Sequence, residues 1–296
     1  MNINKQYREL IEKIKTDSEK YTDAQMKEIY KEQNASLKTL EALLGAMFIK
    51  YGVDGLLHMT SKQKGSMGLK QMLKSMGKTL GTSEVAKVTD ILGSVFKDTY
   101  YKNAFEMESA FKVEIKFNML KKEYINAAVN TRFNGDLFSN RIWKNKSKLI
   151  DDLYRGINDA MTGNVTIDKI AKDIKTTFNT TAFNSQRLVN NEMARVQSQA
   201  SIDIATDAGI KKHQWNATLD ANTEPEDGEL DGKIFDIDDS SAPTIPLHIS
   251  CRCTWINIPY EGWKASNRKD NITKEVIDYT TYSEWAKAKG INKTKS

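Results

Sequence analysis

The sequence is poor in several things, and each shortage narrows the possibilities. Two cysteines in 296 residues are too few for a disulfide framework. No window reaches the roughly 18–20 consecutive apolar residues a membrane-spanning helix needs, so no stable membrane span is expected. The opening stretch, MNINKQYRELIEK, lacks the apolar core of a secretory signal. The expected setting is therefore the cytoplasm, or an assembly built there. The chain has no G-x-x-x-x-G-K-[ST], no G-x-G-x-x-G after a strand and no G-x-S-x-G, which removes the common nucleotide-binding and serine-hydrolase signatures. With 39% apolar and 28% charged residues, the chain should form one or two domains with modest cores and much exposed helical surface.

Charge is plentiful but segregated. Residues 51–150 hold 17 Lys/Arg against 9 Asp/Glu, whereas residues 201–250 hold 3 against 11. A basic segment can face nucleic acid and an acidic one cannot; solvated helix faces that differ by chance are the plainer alternative.

The periodicity predicts an α+β chain, helical first and then carrying a small antiparallel sheet. Leu10, Ile11, Ile14, Met26, Ile29, Leu37, Leu40, Leu43 and Leu44 recur at helical spacing over 3–50, with Thr22-Asp23 as a break. Residues 55–83 contain five lysines and no acid. Within them Leu69, Met72, Leu73, Met76 and Leu80 form one stripe and Lys70, Lys74 and Lys78 a second. This reads as a short basic amphipathic helix with an adaptable methionine face, suited either to a partner or nucleic acid or to ordinary packing. Thr82-Ser83-Glu84 is expected to open another helix that continues towards Ala128. NTRFNGD at 130–136 suggests a boundary, giving a helical region 1–129, a second domain 130–262 and a charged C-terminal tail 263–296. Further helices are expected to end at Gly163 and at Gly209, with a separate one starting near 181. After Gly209 the period changes to two, and HQWNATLD, KIFDID and CTWINIP read as strands around an acidic loop, ANTEPEDGELDG.

The two cysteines lie in PLHISCRC. A Cys251–Cys253 disulfide would be strained. In an extended segment residues i and i+2 share a face, so both thiols can meet one metal ion. A turn at Ile249-Ser250 is needed to bring the His248 imidazole round to them. Those donors suit zinc, with His213, Asp220 or Asp227 as the fourth. The alternatives are two buried thiols packed as small apolar groups, or redox chemistry. Glu192 stands among polar residues on a helix and reads as a hydrogen-bonding glutamate more readily than as a base. Glu224 and Glu226 are a weak acid/base pair.

Taken together, FNGDLFSNRIW, NEMARVQSQASIDIATDAG, WNATLDANTEPEDGELDGKIF and PLHISCRC resemble the phage head morphogenesis family, the Mu F-like minor head proteins, over roughly 130–259. The matching positions are Pro246, His248, Cys251, Arg252 and Cys253, with Trp215, Thr218, Leu219, Asp220, Leu230, Asp231 and Gly232, and Glu192 on the helix. Where many members carry Arg-Thr-Glu, this chain has Asn190-Asn191-Glu192. Where many carry a soft ligand before Leu-Asp-Gly, it has Glu226-Asp227-Gly228-Glu229. The resemblance implies a non-enzymatic structural protein of a tailed-phage head. Such a protein is present in few copies inside the head near the portal, and assembles in the host cytoplasm. It also implies work in head assembly and in DNA packaging or ejection, with portal protein and double-stranded DNA as partners, and scaffold or major capsid protein as a further one. One structural Zn2+ at His248, Cys251, Cys253 and Asp227 goes with that reading. DNA or partner contact is expected at Lys70, Lys74, Lys78, Met72 and Met76. A zinc-dependent toxin-like nuclease or hydrolase using His248, Cys251 and Cys253 is the alternative.

Overall fold

The computed structural model describes residues 3–111, 115 and 119–291. The chain divides into two compact units. One comprises Asp23–Asp90 and Arg132–Val189; the other comprises Met1–Thr22, Ile91–Thr131 and Asn190–Ser296. Three long helices, α1 (Ile3–Tyr51), α3 (Leu69–Phe111) and α6 (Ile167–Asp207), contribute residues to both.

The first unit is nearly all helix. Besides its parts of the long helices it holds a two-residue hairpin, β1 (Gly52–Val53) with β2 (Leu56–Leu57), then α2 (Ser61–Ser66) and α5 (Phe138–Met161). Its core is made by helical spacing: Leu40, Leu44 and Met47 of α1, Leu69, Leu73 and Leu80 of α3, Leu149, Leu153 and Ile157 of α5, and Ile170, Ile174 and Phe178 of α6. Each such side chain contributes about 1.5–3 kcal/mol on full burial. Gly77 brings α3 close to α5, because a Cβ there would lie 2.6 Å from Ile150 Cγ1.

Three expected helix boundaries are absent. α1 runs unbroken through Thr22-Asp23, with Thr22 buried. α3 runs unbroken through Gly81, Thr82 and Ser83, so 69–80 is the start of a 43-residue helix rather than a short independent one. The expected breaks near 178–181 fall inside the 41-residue α6. Propensity differences of a few tenths of a kcal/mol per residue lose to the packing of an apolar stripe that carries on through the polar residues. Of the expected continuation towards Ala128, residues 112–114 and 116–118 lie outside the described residues; α4 (Lys122–Val129) follows them.

The second unit holds the sheet. β3 (Lys212–Asn216) is central, with β4 (Ile234–Asp236) on one side and β5 (Thr254–Ile258) on the other, all antiparallel. Trp215 pairs with Trp255 across the strands, their rings edge to face with centroids 5.0 Å apart. With Ala194, Ala217, Ile245, Cys251 and Cys253 they form the core on one sheet face. α6 stops at Gly209, whose φ of +73° sets the left-handed stop while Ile210 N–H donates to the Ala205 carbonyl. Within this unit two features have no counterpart in the sequence reading. One is α7 (Pro225–Leu230), a single turn within the acidic loop. The other is a hairpin of β6 (Asn267–Lys269) with β7 (Val276–Asp278). α8 (Tyr282–Ala288) follows, and Leu219, Tyr282, Trp285 and Ala286 make a small second core. Residues 292–296 of the expected basic end lie outside the described residues. Among the described residues, no helix is long and apolar enough to cross a membrane.

Candidate metal centre

α7 begins at Pro225, which occupies a position where a backbone donor would be unmatched anyway. Gly228 sits against α8: a Cβ there would lie 2.4 Å from Tyr282 Cδ1. That close seating turns Asp227 inward, and its side chain is 3% exposed. Facing it is the segment before β5. Cys251 N–H donates to the His248 carbonyl at 3.2 Å, closing the turn that Ile249-Ser250 requires, and Ser250 has φ +64°. Asn191 of α6 holds this turn by accepting the Ser250 N–H at 2.7 Å.

The turn carries the His248 ring to Asp227, with Nε2 2.7 Å from Oδ2. Cys251 Sγ lies 3.7 Å and 3.9 Å from the two carboxylate oxygens of Asp227. One ligand atom from each of Asp227, His248 and Cys251 falls within 4.8 Å of the others, a group that can hold a metal ion. The chemistry of the donors fits. His248 Nδ1 is 3.0 Å from the Ile249 carbonyl, which fixes the tautomer that leaves Nε2 as the ligand atom. The Cys251 and Cys253 thiols are both buried, and their acidities shift in opposite directions. The hydrogen bond from Cys253 lowers Cys251 to about 7 against the opposing effect of burial, whereas burial and the adjacent Cys251 push Cys253 up. Burial works against a charged His248 ring, but Asp227 holds its pKa above the ordinary value.

The structure separates the candidates for a fourth ligand. Asp227 is in the group. Cys253 is buried beside Cys251 but outside the 4.8 Å set. His213 is elsewhere, stacked on Trp255 at 3.7 Å, and Asp220 is engaged by Arg252.

The other motif positions make hydrogen bonds and close contacts within the fold. Asp231 is the hub: it accepts from Ala217 N–H at 2.8 Å, from Tyr282 N–H at 2.6 Å and from both Nη atoms of Arg268 at 2.6 and 3.2 Å. Arg268, 2% exposed, also donates to the Ala217 and Thr280 carbonyls. Gly232 has φ +83°, and a Cβ there would lie 2.9 Å from Tyr279 Oη. Asp220 accepts from Arg252 Nη2 at 2.8 Å; burial alone would raise its pKa, but the guanidinium and the Asn222 N–H lower it. Glu192 is buried and bonds Arg195 Nε at 2.7 Å, while the rest of that guanidinium caps α4 through the Ala128 and Val129 carbonyls, both at 2.9 Å.

Lys70, Lys74 and Lys78 lie exposed along α3, with Lys70 Nζ 5.8 Å above the Tyr154 ring. Met72 and Met76 are half-buried against the core of their own unit, so the methionine face is used internally. Charge follows the units: the helical one carries 20 Lys/Arg and 13 Asp/Glu, net +7, and the sheet-bearing one 24 and 26, net −2.

Sequence reasoning missed Arg8, Asn191 and Arg268. Arg8, 1% exposed, donates to Asn216 Oδ1 at 2.6 Å and to the Asn267 carbonyl, and packs over Tyr279. No apolar alternation marks the hairpin carrying Arg268, and Asp270-Asn271 is a turn dipeptide without strand patterns on either side.

A small sheet locked to helices, with an imidazole–thiol–carboxylate cluster at its entry, defines a compact structural module. Residues 151–256 match the family described as Phage Mu protein F like protein. That segment, about a third of the chain, is similar to the Mu F-like phage head proteins, in keeping with the PLHISCRC resemblance. It is 21% identical over 278 residues to "Minor head protein GP7" of Bacillus phage SPP1, covering 86% of this chain and 89% of that one. It is 28% identical over 204 residues to "NAD(+)--arginine ADP-ribosyltransferase EFV" of Enterococcus faecalis, covering 63% of this chain; it spans 41% of that protein's length. A 115-residue stretch is 26% identical to an uncharacterized Haemophilus influenzae protein, covering 38% of this chain and 26% of that one. No solved structure gives a significant match.

Proposed function

We propose that the chain is a minor head protein of a tailed phage that associates with the portal at the DNA-entry vertex and assists head assembly and DNA packaging or ejection. The observation that carries this reading is the similarity to the SPP1 minor head protein, which spans nearly the whole of both chains. The charge difference between the units supports it. The basic unit would meet DNA through phosphates, with Lys70, Lys74 and Lys78 among the contacts and no sequence preference. The test is co-expression with the portal protein. Co-elution in one assembly is expected, and separate elution at all salt concentrations would refute it.

Zinc is the metal best suited to the donor set. Cys251, His248 and Asp227 would hold it, with Cys253 the neighbouring soft donor for a fourth position. Bound there, zinc would clamp the segment before β5 to α7 and so fix the acidic loop. The residues around it are arranged for structure: Asn191 orients the turn, the Ile249 carbonyl orients the ring, and Asp227 is buried under α8. Metal analysis of the purified chain should give about one Zn2+ per molecule, lost in Cys251→Ser, with a lower melting temperature after chelation. Zinc content unchanged in Cys251→Ser would remove this site.

The second reading, a zinc-dependent toxin-like enzyme, draws on the similarity to the Enterococcus transferase. That similarity leaves more than half of the relative unmatched. Glu192, the buried candidate base, is engaged by Arg195, and Glu226 is exposed. Nuclease or hydrolase activity abolished by Cys251→Ser in a folded chain would favour the enzyme.

A further inference from the structure

The face of the sheet opposite the tryptophan core is only partly covered. Register places Gln214, Ile234, Ile256 and Ile258 on that face, away from His213, Trp215, Phe235 and Trp255. The segment leading into the β6–β7 hairpin roofs it, leaving a cavity of about 460 Å³ walled by Gln214, Ile234, Ile258, Trp263 and Tyr279. This is within the range of built binding sites.

Three independent features converge there. First, β4 is an open edge. Trp215 N–H donates to the Lys233 carbonyl and Ile237 N–H to the Lys211 carbonyl, so Lys233, Phe235 and Ile237 face β3. By the alternation of an antiparallel ladder, Ile234 and Asp236 turn their backbone groups outward, where no described strand pairs with them. Ile234 is 52% exposed at that edge. Second, Trp263 is 4% exposed, and its indole N–H has no acceptor among the described residues. Third, the charge at the mouth is unbalanced. Lys233 and Lys264 line the cavity, are exposed, and have no carboxylate within 4.0 Å among the described residues. Two acids at the cavity and the β4 edge are already matched: Asp231 by Arg268, and Asp236 by Lys212 at 2.9 Å.

We propose that this cavity and the edge of β4 form a docking site for an extended segment of another protein, which adds a strand to β4, places one aliphatic side chain in the cavity and sets an acidic residue against Lys233 and Lys264. Main-chain pairing would supply affinity, and the cavity and the lysines selectivity. A basic segment would be repelled, and nucleic acid has neither the aliphatic group nor the strand.

The test is a titration of the full chain, amide-labelled for NMR, with blocked pentapeptides of the pattern acetyl-Asp-Thr-Xaa-Thr-Asp-amide, where Xaa is Leu, Val or Ala. Saturable shifts are expected at the Ile234 and Asp236 amides and at the Trp263 indole, with the Ala peptide at least tenfold weaker. Lys233→Glu with Lys264→Glu should weaken the Leu peptide at least tenfold. Ile234→Pro removes an outward N–H at a position where an edge strand tolerates proline, and should do the same while the rest of the spectrum is retained. No shifts at millimolar peptide, shifts lying elsewhere, or equal binding by the variants would overturn the proposal. Equal binding of N-acetylleucine alone would overturn the strand pairing and leave a small-molecule pocket.

Discussion

The two units of this chain are specified by different physics. The helical unit is built from apolar stripes on α1, α3, α5 and α6, and among its described residues one ion pair, Glu84 with Lys146, is fully buried. The sheet-bearing unit depends on buried polar groups that find one another across the sequence: Arg8 with Asn216, Asp231 with Arg268, and Asp227 with His248. Apolar periodicity is redundant, so losing one leucine leaves a stripe. A buried polar hub is not, because each removed partner strands the others. The helical unit should therefore tolerate substitution smoothly, and the sheet-bearing unit should fail at particular residues.

The sharpest test of that contrast is Asp231→Ala. It leaves Arg268 buried without its carboxylate and removes the acceptor of two backbone donors. A loss of about 3–5 kcal/mol is expected by urea denaturation. A cost below that of a core leucine would break the comparison. Leu153→Ala, in the helical unit, should cost about 2–5 kcal/mol and leave the near-ultraviolet signal of Trp215 and Trp255 intact.

A third effect is pH-dependent. His213 is 2% exposed and stacked on Trp255, and burial lowers its pKa to about 4. The neutral ring is the form that fits, so its contribution is fully present above the unfolded pKa of about 6.5 and is lost as pH falls from there towards 4. The total is of the order of 3 kcal/mol. Melting temperature measured between pH 7 and 4 should fall more steeply in the wild type than in His213→Phe. Parallel curves would contradict the assignment. The smallest effect is expected at Arg252→Ala, because the Arg252 side chain is 40% exposed and Asp220 keeps the Asn222 N–H and the Thr223 hydroxyl as donors; about 0–1 kcal/mol should be lost.

The contrast also explains what was legible in the sequence. The stripe Leu69, Leu73 and Leu80, the stop at Gly209 and the alternation of His213 and Trp215 are local patterns, and the elements follow them. The turn at Ile249-Ser250 is legible because His248 and Cys251 can share a ligand only through one. Helix breaks at Thr22-Asp23 and Thr82-Ser83 were misleading, since weak local preferences there are overridden by packing on either side. The Arg268 hairpin and the anchoring by Arg8 were not legible: residues 8, 216, 231 and 268 become neighbours only in the fold, and nothing local marks a buried arginine.

The central claim, that this chain works as a minor component of a phage head, is most directly tested by quantitative mass spectrometry of purified, nuclease-treated particles, counting this chain against the portal protein. A few copies per portal ring is the predicted result. Absence of the chain from the particles would contradict it.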